Sequence, residues 1–299
     1  MNLTDLLQPF NTIAIIGLGK NVGKTTVLNH ILQGFAGYRL ALTSIGRDGE
    51  DVDVVTKTAK PRIYVPMGTI IITAEALLAQ CDITTEILTV TDISTPLGRI
   101  VAIMARSAGF VQIGGPSITS QLSTIIKDIQ IFKPGKIIID GAISRKSLAG
   151  PSLAQAVVLC TGAAVATNID ELIAQTRHHV DILTLPQVPQ NTKLEPLYMP
   201  GAVSDQKMRN LLLSADGKNL KGRHIVADDA CKIFISPDTF QKLQIRQATL
   251  AVKTSINPVA VAVNPTAPGG FSFDSIKLLD KMREALPLPV FDVGGEIDV

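Results

Sequence analysis

At 299 residues the chain is long enough to bury a large core in one large or two modest domains. Its 46% apolar and 18% charged residues exclude a disordered polypeptide, and a formal charge of +2 with scattered bases excludes a general nucleic-acid footprint. Aromatic residues amount to 4% with no tryptophan, too few for a platform that stacks single-stranded bases.

In chain order, Thr4-Asp5-Leu6-Leu7 predicts a short helix ahead of a strand at Thr12–Ile16. A glycine-rich loop follows, then a helix from about Lys24 to Gly34, where glycine offers a stop. The run 39–44 predicts a second strand, completing a βαβ unit of a parallel sheet. From 61 to 115 the pattern changes to short β-rich runs at 62–65, 69–73, 87–91, 99–104 and 110–113, with only 74–80 helical. This reads as a β-rich insertion or edge region. Gly114-Gly115-Pro116-Ser117 then opens a helix over about 118–131 with Ser117 as its cap, either a tight turn or a second anion pocket. Strands are expected at 136–140 and 156–160.

The proline-containing stretch 186–222 reads as a linker or crossover around a helix at 204–213. Beyond it, 223–299 alternates strand and helix: strands 224–226 and 231–235, helix 238–250, strand 259–263, helix 272–286, strand 290–293. That tail is either its own lobe or an extension of the first sheet, after a nucleotide-binding domain over 1–185. No internal repeat is visible. Cys81, Cys160 and Cys231 are odd in number and far apart, which supports neither a disulfide framework nor a thiolate zinc site. Adjacent His178 and His179 point about 100° apart on a helix rather than at one metal. The first residues lack an export signal, and no apolar stretch is long enough to span a bilayer, so a cytoplasmic location is expected.

The chemistry concentrates in Gly17-Leu18-Gly19-Lys20-Asn21-Val22-Gly23-Lys24-Thr25-Thr26. A strand that breaks at glycine and enters a helix at Gly-Lys-Thr builds a phosphate cradle, in which loop amides and the positive helix end converge on an anion. Residues Gly19, Lys20, Asn21, Val22, Gly23, Lys24, Thr25 and Thr26 are the expected nucleotide contacts. Lys24 would reach the terminal phosphates, and the Thr25 hydroxyl would hold Mg²⁺. Asp140 ends a run of three isoleucines, at the strand end where open α/β sheets bind ligands, and is the expected partner of Thr25 on the metal. Asp48 and Glu50, in the acidic cluster with Asp51 and Asp53, either serve the reaction or form a solvated loop. Ser144-Arg145-Lys146 offers cations near the phosphates. ATP is favoured over GTP because Thr167-Asn168-Ile169-Asp170 keeps only the last acid of the guanine motif. Asn264-Pro265 is placed to meet an adenine edge.

Five residues separate Gly17 from Gly23, as in the loop of dethiobiotin synthetase, which this segment resembles down to Val22; Asp140-Gly141-Ala142 is similar to that family's Glu-Gly-Ala. The loop, Thr43-Ser44-Ile45-Gly46-Arg47-Asp48-Gly49-Glu50, Lys60-Pro61-Arg62-Ile63-Tyr64-Val65 and Ile139 through Ser147 occur in an order that resembles the P-loop subunit of the lysine 5,6-aminomutase reactivase family, over roughly residues 11–165. The resemblance implies a P-loop NTPase fold and ATP-dependent reactivation of an adenosylcobalamin-dependent aminomutase, with that enzyme and a MutS-type ATPase as partners. A homodimer stays open. The alternatives are a dethiobiotin synthetase-like enzyme that activates a small carboxylate or amine substrate, and a nucleotide-sensing module without turnover.

Overall fold

A computed structural model describes residues 2–45, 62–141, 153–214, 217 and 219–292, with Thr119 by its backbone alone. Strand β1 (Thr12–Gly17) lies between β8 (Lys136–Asp140) and β9 (Ala156–Gly162), parallel to both. Ile15 stands opposite Asp140 on one side and Gly17 opposite Cys160 on the other. Beyond β8 come β2 (Leu40–Ser44) and β4 (Ile70–Ala74), and beyond β9 come β15 (Pro258–Asn264) and β16 (Val290–Asp292), all parallel. Antiparallel β6 (Gly98–Ala105) and β5 (Thr85–Thr95) extend β4 and complete a nine-stranded, mostly parallel sheet. The β-rich region 61–115 is therefore largely an edge of the main sheet. Within it, β3 (Ile63–Val65) and β7 (Gly109–Val111) form a separate two-stranded antiparallel ribbon.

The central strands are buried on both faces, which is why they read as unbroken apolar runs rather than alternating ones. Side chains still alternate between two layers. Ala14, Ile16, Ile137, Ile139, Val157 and Leu159 face α3 (Thr119–Asp128), α4 (Ile169–Leu183) and α7 (Ser275–Ala285). Ile13, Ile15, Ile138, Val158 and Cys160 face α1 (Leu3–Leu7) and α2 (Lys24–Gly34). The chain leaves β1 through α2 towards β2, and leaves β9 through α4 towards β15. The sheet order thus reverses between β1 and β9, the position where open α/β sheets form a ligand crevice beyond their carboxyl ends.

The tail follows both sequence alternatives at once. β15 and β16 join the main sheet, whereas β10 (Leu197–Met199), β12 (His224–Asp229) and β14 (Thr249–Thr254) form a small parallel sheet. In the small sheet an order of elements recurs, without a repeat in the sequence. β10, β11 (Val203–Ser204) and α5 (Asp205–Leu213) are followed by β12, β13 (Ile233–Phe234) and α6 (Pro237–Ile245) in the same order. The two copies pair in register, Leu197 with Ile225 and Val203 with Ile233. The helix expected over 238–250 stops at Ile245, and left-handed Gln247 (φ 56°) turns the chain into β14. The strand expected at 231–235 is a 3-10 turn at Ala230–Lys232 followed by two strand residues. Ser117 does not cap α3; Ile118 holds the cap position without a side-chain bond. Among the described residues, no helix is long and apolar enough to cross a membrane.

A buried lysine ties the N-terminal helix to the sheet. Lys136, 2% exposed at the start of β8, donates to the carbonyls of Gln8 at 2.6 Å and Phe10 at 2.7 Å, where α1 ends, and sits 4.8 Å from the Phe35 ring centre. A cation here satisfies carbonyls that a helix end leaves open and complements its negative pole. Burial pushes the ammonium below its ordinary pKa. Lys136→Met keeps the stem but strands those carbonyls, so a loss of about 2 kcal/mol is expected from the urea midpoint.

Candidate functional site

Gly17 ends β1, and Leu18 N–H donates to the Cys160 carbonyl at 2.9 Å, which fixes the departing chain against β9. A Cβ on Gly17 would lie 2.7 Å from Val22 Cγ2 and 2.9 Å from Lys24 Cδ, so only glycine lets the loop fold back this tightly. Asn21 (φ 58°) and Gly23 (φ 85°) take left-handed backbone and turn the chain into α2, for which Gly23 is the N-cap. Val27 is the first residue of α2 whose amide finds a helical acceptor, the Gly23 carbonyl at 3.0 Å. The amides of Lys24, Thr25 and Thr26 precede it and have no intrahelical partner within reach, which with the helix dipole makes this end attractive to an anion.

The sequence-predicted residues fall on this loop as follows. Lys20 is exposed, whereas Gly19, Asn21, Gly23, Lys24, Thr25 and Thr26 are half-buried. Val22 is fully buried, so its side chain is a plug beneath the loop and only its backbone is available to a ligand. Lys24 bends back over the loop, and its Nζ donates to the Gly19 carbonyl at 3.2 Å. Asp140 stands half-buried at the carboxyl end of β8, opposite Ile15 of β1 and Ser44 of β2. Lys24 and Asp140 both act on the Cys160 thiol. Burial pushes that thiol up to about 12, Lys24 opposes the shift and Asp140 adds to it. The three groups therefore share one neighbourhood, and Cys160 stays a protonated, inert neighbour. Asp48 and Glu50 lie outside the described residues, as do Arg47, Asp51, Asp53, Ser144, Arg145 and Lys146.

Sequence reasoning passed over Gly162, which ends β9 as Gly17 ends β1. A Cβ there would meet the Asn264 carbonyl oxygen at 2.0 Å, so β9 and β15 close upon each other at this edge. A glycine at the end of a buried apolar run was the available signal. Asn264 reaches the loop itself, its Nδ2 donating to the Asn21 carbonyl at 3.4 Å. Asn168 and Asp170 are occupied otherwise. Asn168 caps α4 by accepting from the amides of Asp170 and Glu171, and Asp170 pairs with Lys281 at 2.7 Å. Of the two alternatives at Gly114-Gly115, the structure has the tight turn. The Gly114 amide donates to Thr73 Oγ1 at 3.0 Å and the Gly115 amide to Ser44 Oγ at 3.1 Å, so this is a tight structural turn. His178 and His179 are likewise structural, bound to the carbonyls of Ile235 and Gln175.

Among the described residues, no three His, Cys, Asp or Glu side chains gather to hold a metal. A Mg²⁺ ion suits this edge only in the manner common to nucleotide sites, with one carboxylate, one hydroxyl, water and substrate phosphates as ligands. The arrangement offers an anion seat at a helix start, a long-stemmed cation beside it and one acid on the neighbouring strand. No protein-family model matches the chain, and no curated protein matches it.

Proposed function

We propose that the chain binds Mg·ATP on the loop 17–26 and is an ATPase. The observation that carries the reading is the start of α2: open first-turn amides, with Lys24 folded over the same loop rather than out into water. In this reading the amides of Lys24, Thr25 and Thr26 seat the phosphates, and Lys24 Nζ leaves the Gly19 carbonyl for their terminal oxygens. The Thr25 hydroxyl and Asp140 would hold Mg²⁺, which would supply charge neutralisation at the transferring phosphoryl group. The engagement of Asn168 and Asp170 in a helix cap and an ion pair supports adenine over guanine nucleotides. The sequence motifs favour, as the client of turnover, an adenosylcobalamin-dependent aminomutase that is reactivated together with a MutS-type ATPase.

Calorimetric titration with Mg·ATP and Mg·GTP, followed by phosphate release with and without such an aminomutase, tests both levels. Saturable binding that prefers ATP, with turnover that rises on adding the aminomutase, is the expected result. ADP release driven by a small carboxylate alone would replace the client reading with a synthetase-like one, and absence of nucleotide binding would end the proposal.

A further inference from the structure

Besides apolar packing, one polar side chain of helix α2 grips the backbone of the β3–β7 ribbon. The Asn29 carboxamide donates from Nδ2 to the Arg62 carbonyl at 3.0 Å and accepts from the Tyr64 amide at 3.1 Å. It thus serves one residue span of β3 as a neighbouring strand would, on the side away from β7. Among the described residues the ribbon joins no strand ladder of the main sheet, and its Phe110 carbonyl accepts from the Asp82 amide at 2.8 Å. Its inner residues Ile63, Val65 and Val111 lie in the same core as Val27 and Ile31 of α2 and as Ile71, Val101 and Ile103 of the main sheet. Its outer face carries Tyr64 and Phe110, edge to face at 5.4 Å, with the Arg62 guanidinium 4.6 Å from the Phe110 ring centre. Both rings are exposed.

We infer that Asn29 is a positioning residue that couples occupancy of the glycine loop to the placement of this aromatic ribbon. The inference rests on the nucleotide-binding reading above. Asn29 stands five residues after Lys24, one and a half turns along the same helix, so α2 transmits a displacement of its first turn as a rigid rod. An anion seated at that turn pulls on the helix through its amides and dipole. The ribbon's buried side rests on both the helix and the sheet, and β7 is held by the Asp82 amide, so the Asn29 grip on the β3 backbone is the polar link through which a shift of α2 reaches it. A ligand shifts such an element only by its different affinity for two placements, and the grip supplies the mechanical connection.

The test is residue-resolved hydrogen exchange on the full chain with Mg²⁺ and a non-hydrolysable ATP analogue. The Tyr64 amide reports the grip directly because Asn29 Oδ1 is its acceptor. In the wild type its exchange should change about fivefold or more on nucleotide addition. Asn29→Ala should still bind nucleotide and protect the amides of Lys24, Thr25 and Thr26, but lose the response at Tyr64. Asn29→Asp, which keeps the acceptor, should retain part of that response and guards against a folding defect in the alanine variant. If the α2 amides become protected while Tyr64 exchange stays unchanged, the coupling is wrong and nucleotide binding stands. The coupling is equally wrong if Asn29→Ala exchanges faster with and without nucleotide yet keeps the full response, since that is a structural role alone. If no amide of α2 responds, the nucleotide reading fails and the coupling fails with it.

Discussion

Replacing Lys24 with alanine is expected to weaken Mg·ATP binding by about a hundredfold or more. In the proposed complex its ammonium is the one side-chain cation of the described loop that lies beside the anion seat; Lys20 is exposed to solvent. Removing one partner of a desolvated charge pair costs about 2–5 kcal/mol, and each 1.4 kcal/mol is tenfold in affinity. The fold should survive, because Lys24 is half-buried and its polar contact is one bond to the Gly19 carbonyl. Calorimetry, with the melting temperature as a folding control, measures both. Asp140→Asn should behave differently, weakening binding chiefly when Mg²⁺ is present and leaving metal-free ATP nearly unaffected. Full Mg·ATP affinity in Lys24→Ala would remove the site from the loop.

Gly115→Ala is expected to cost about 3 kcal/mol or more, since its added methyl would make the closest approach of any described glycine. A Cβ there would stand 1.8 Å from the Ser44 carbonyl oxygen and 2.9 Å from its carbon. Both are backbone atoms at the end of β2, so no rotamer change relieves the overlap. Moving the turn outward breaks the Gly115–Ser44 and Gly114–Thr73 bonds, and moving β2 disturbs the ladder that sets Ser44 beside Asp140. Gly37→Ala is the matched control, since its Cβ would meet nothing within 4 Å. Urea unfolding of the two variants should separate them clearly, with Gly37→Ala close to wild type. Equal midpoints would mean that the turn yields far more easily than its contacts imply.

The first βαβ unit was legible because its signals are local. An apolar run ends at Gly17 and a helix runs from Lys24 to Gly34, and the sequence marks both boundaries to within a residue. The start and length of helix α4 were not legible because its cap, Asn168 followed by Asp170 and Glu171, occurs in what looked like a degenerate guanine motif. Its inner face also carries Thr176, a polar residue made compatible with burial by Thr161 at 2.9 Å. Partner choice was the least legible part. Strands β14 and β15 are separated by only a few residues, yet one pairs with β12 and the other with β9. That decision depends on which distant surface each strand covers, a property absent from either segment alone. Of the candidate site, the positions of the loop at the end of β1 and of Asp140 at the end of β8 were legible, whereas the approach of Asn264 to the loop depends on the same distant pairing.

The chain passes into and out of the small sheet at adjoining points. Gln187 bridges to Val252, with Pro186 and Val188 bonded to that residue's amide and carbonyl. The part between those two points has a second tie to the main layers, because His178 of α4 bonds the Ile235 carbonyl at 2.8 Å and stands edge to face with Phe240. A change inside this part therefore has to respect both the Gln187–Val252 bridge and the α4 contact, so its length and its fit against the helix layer are constrained together.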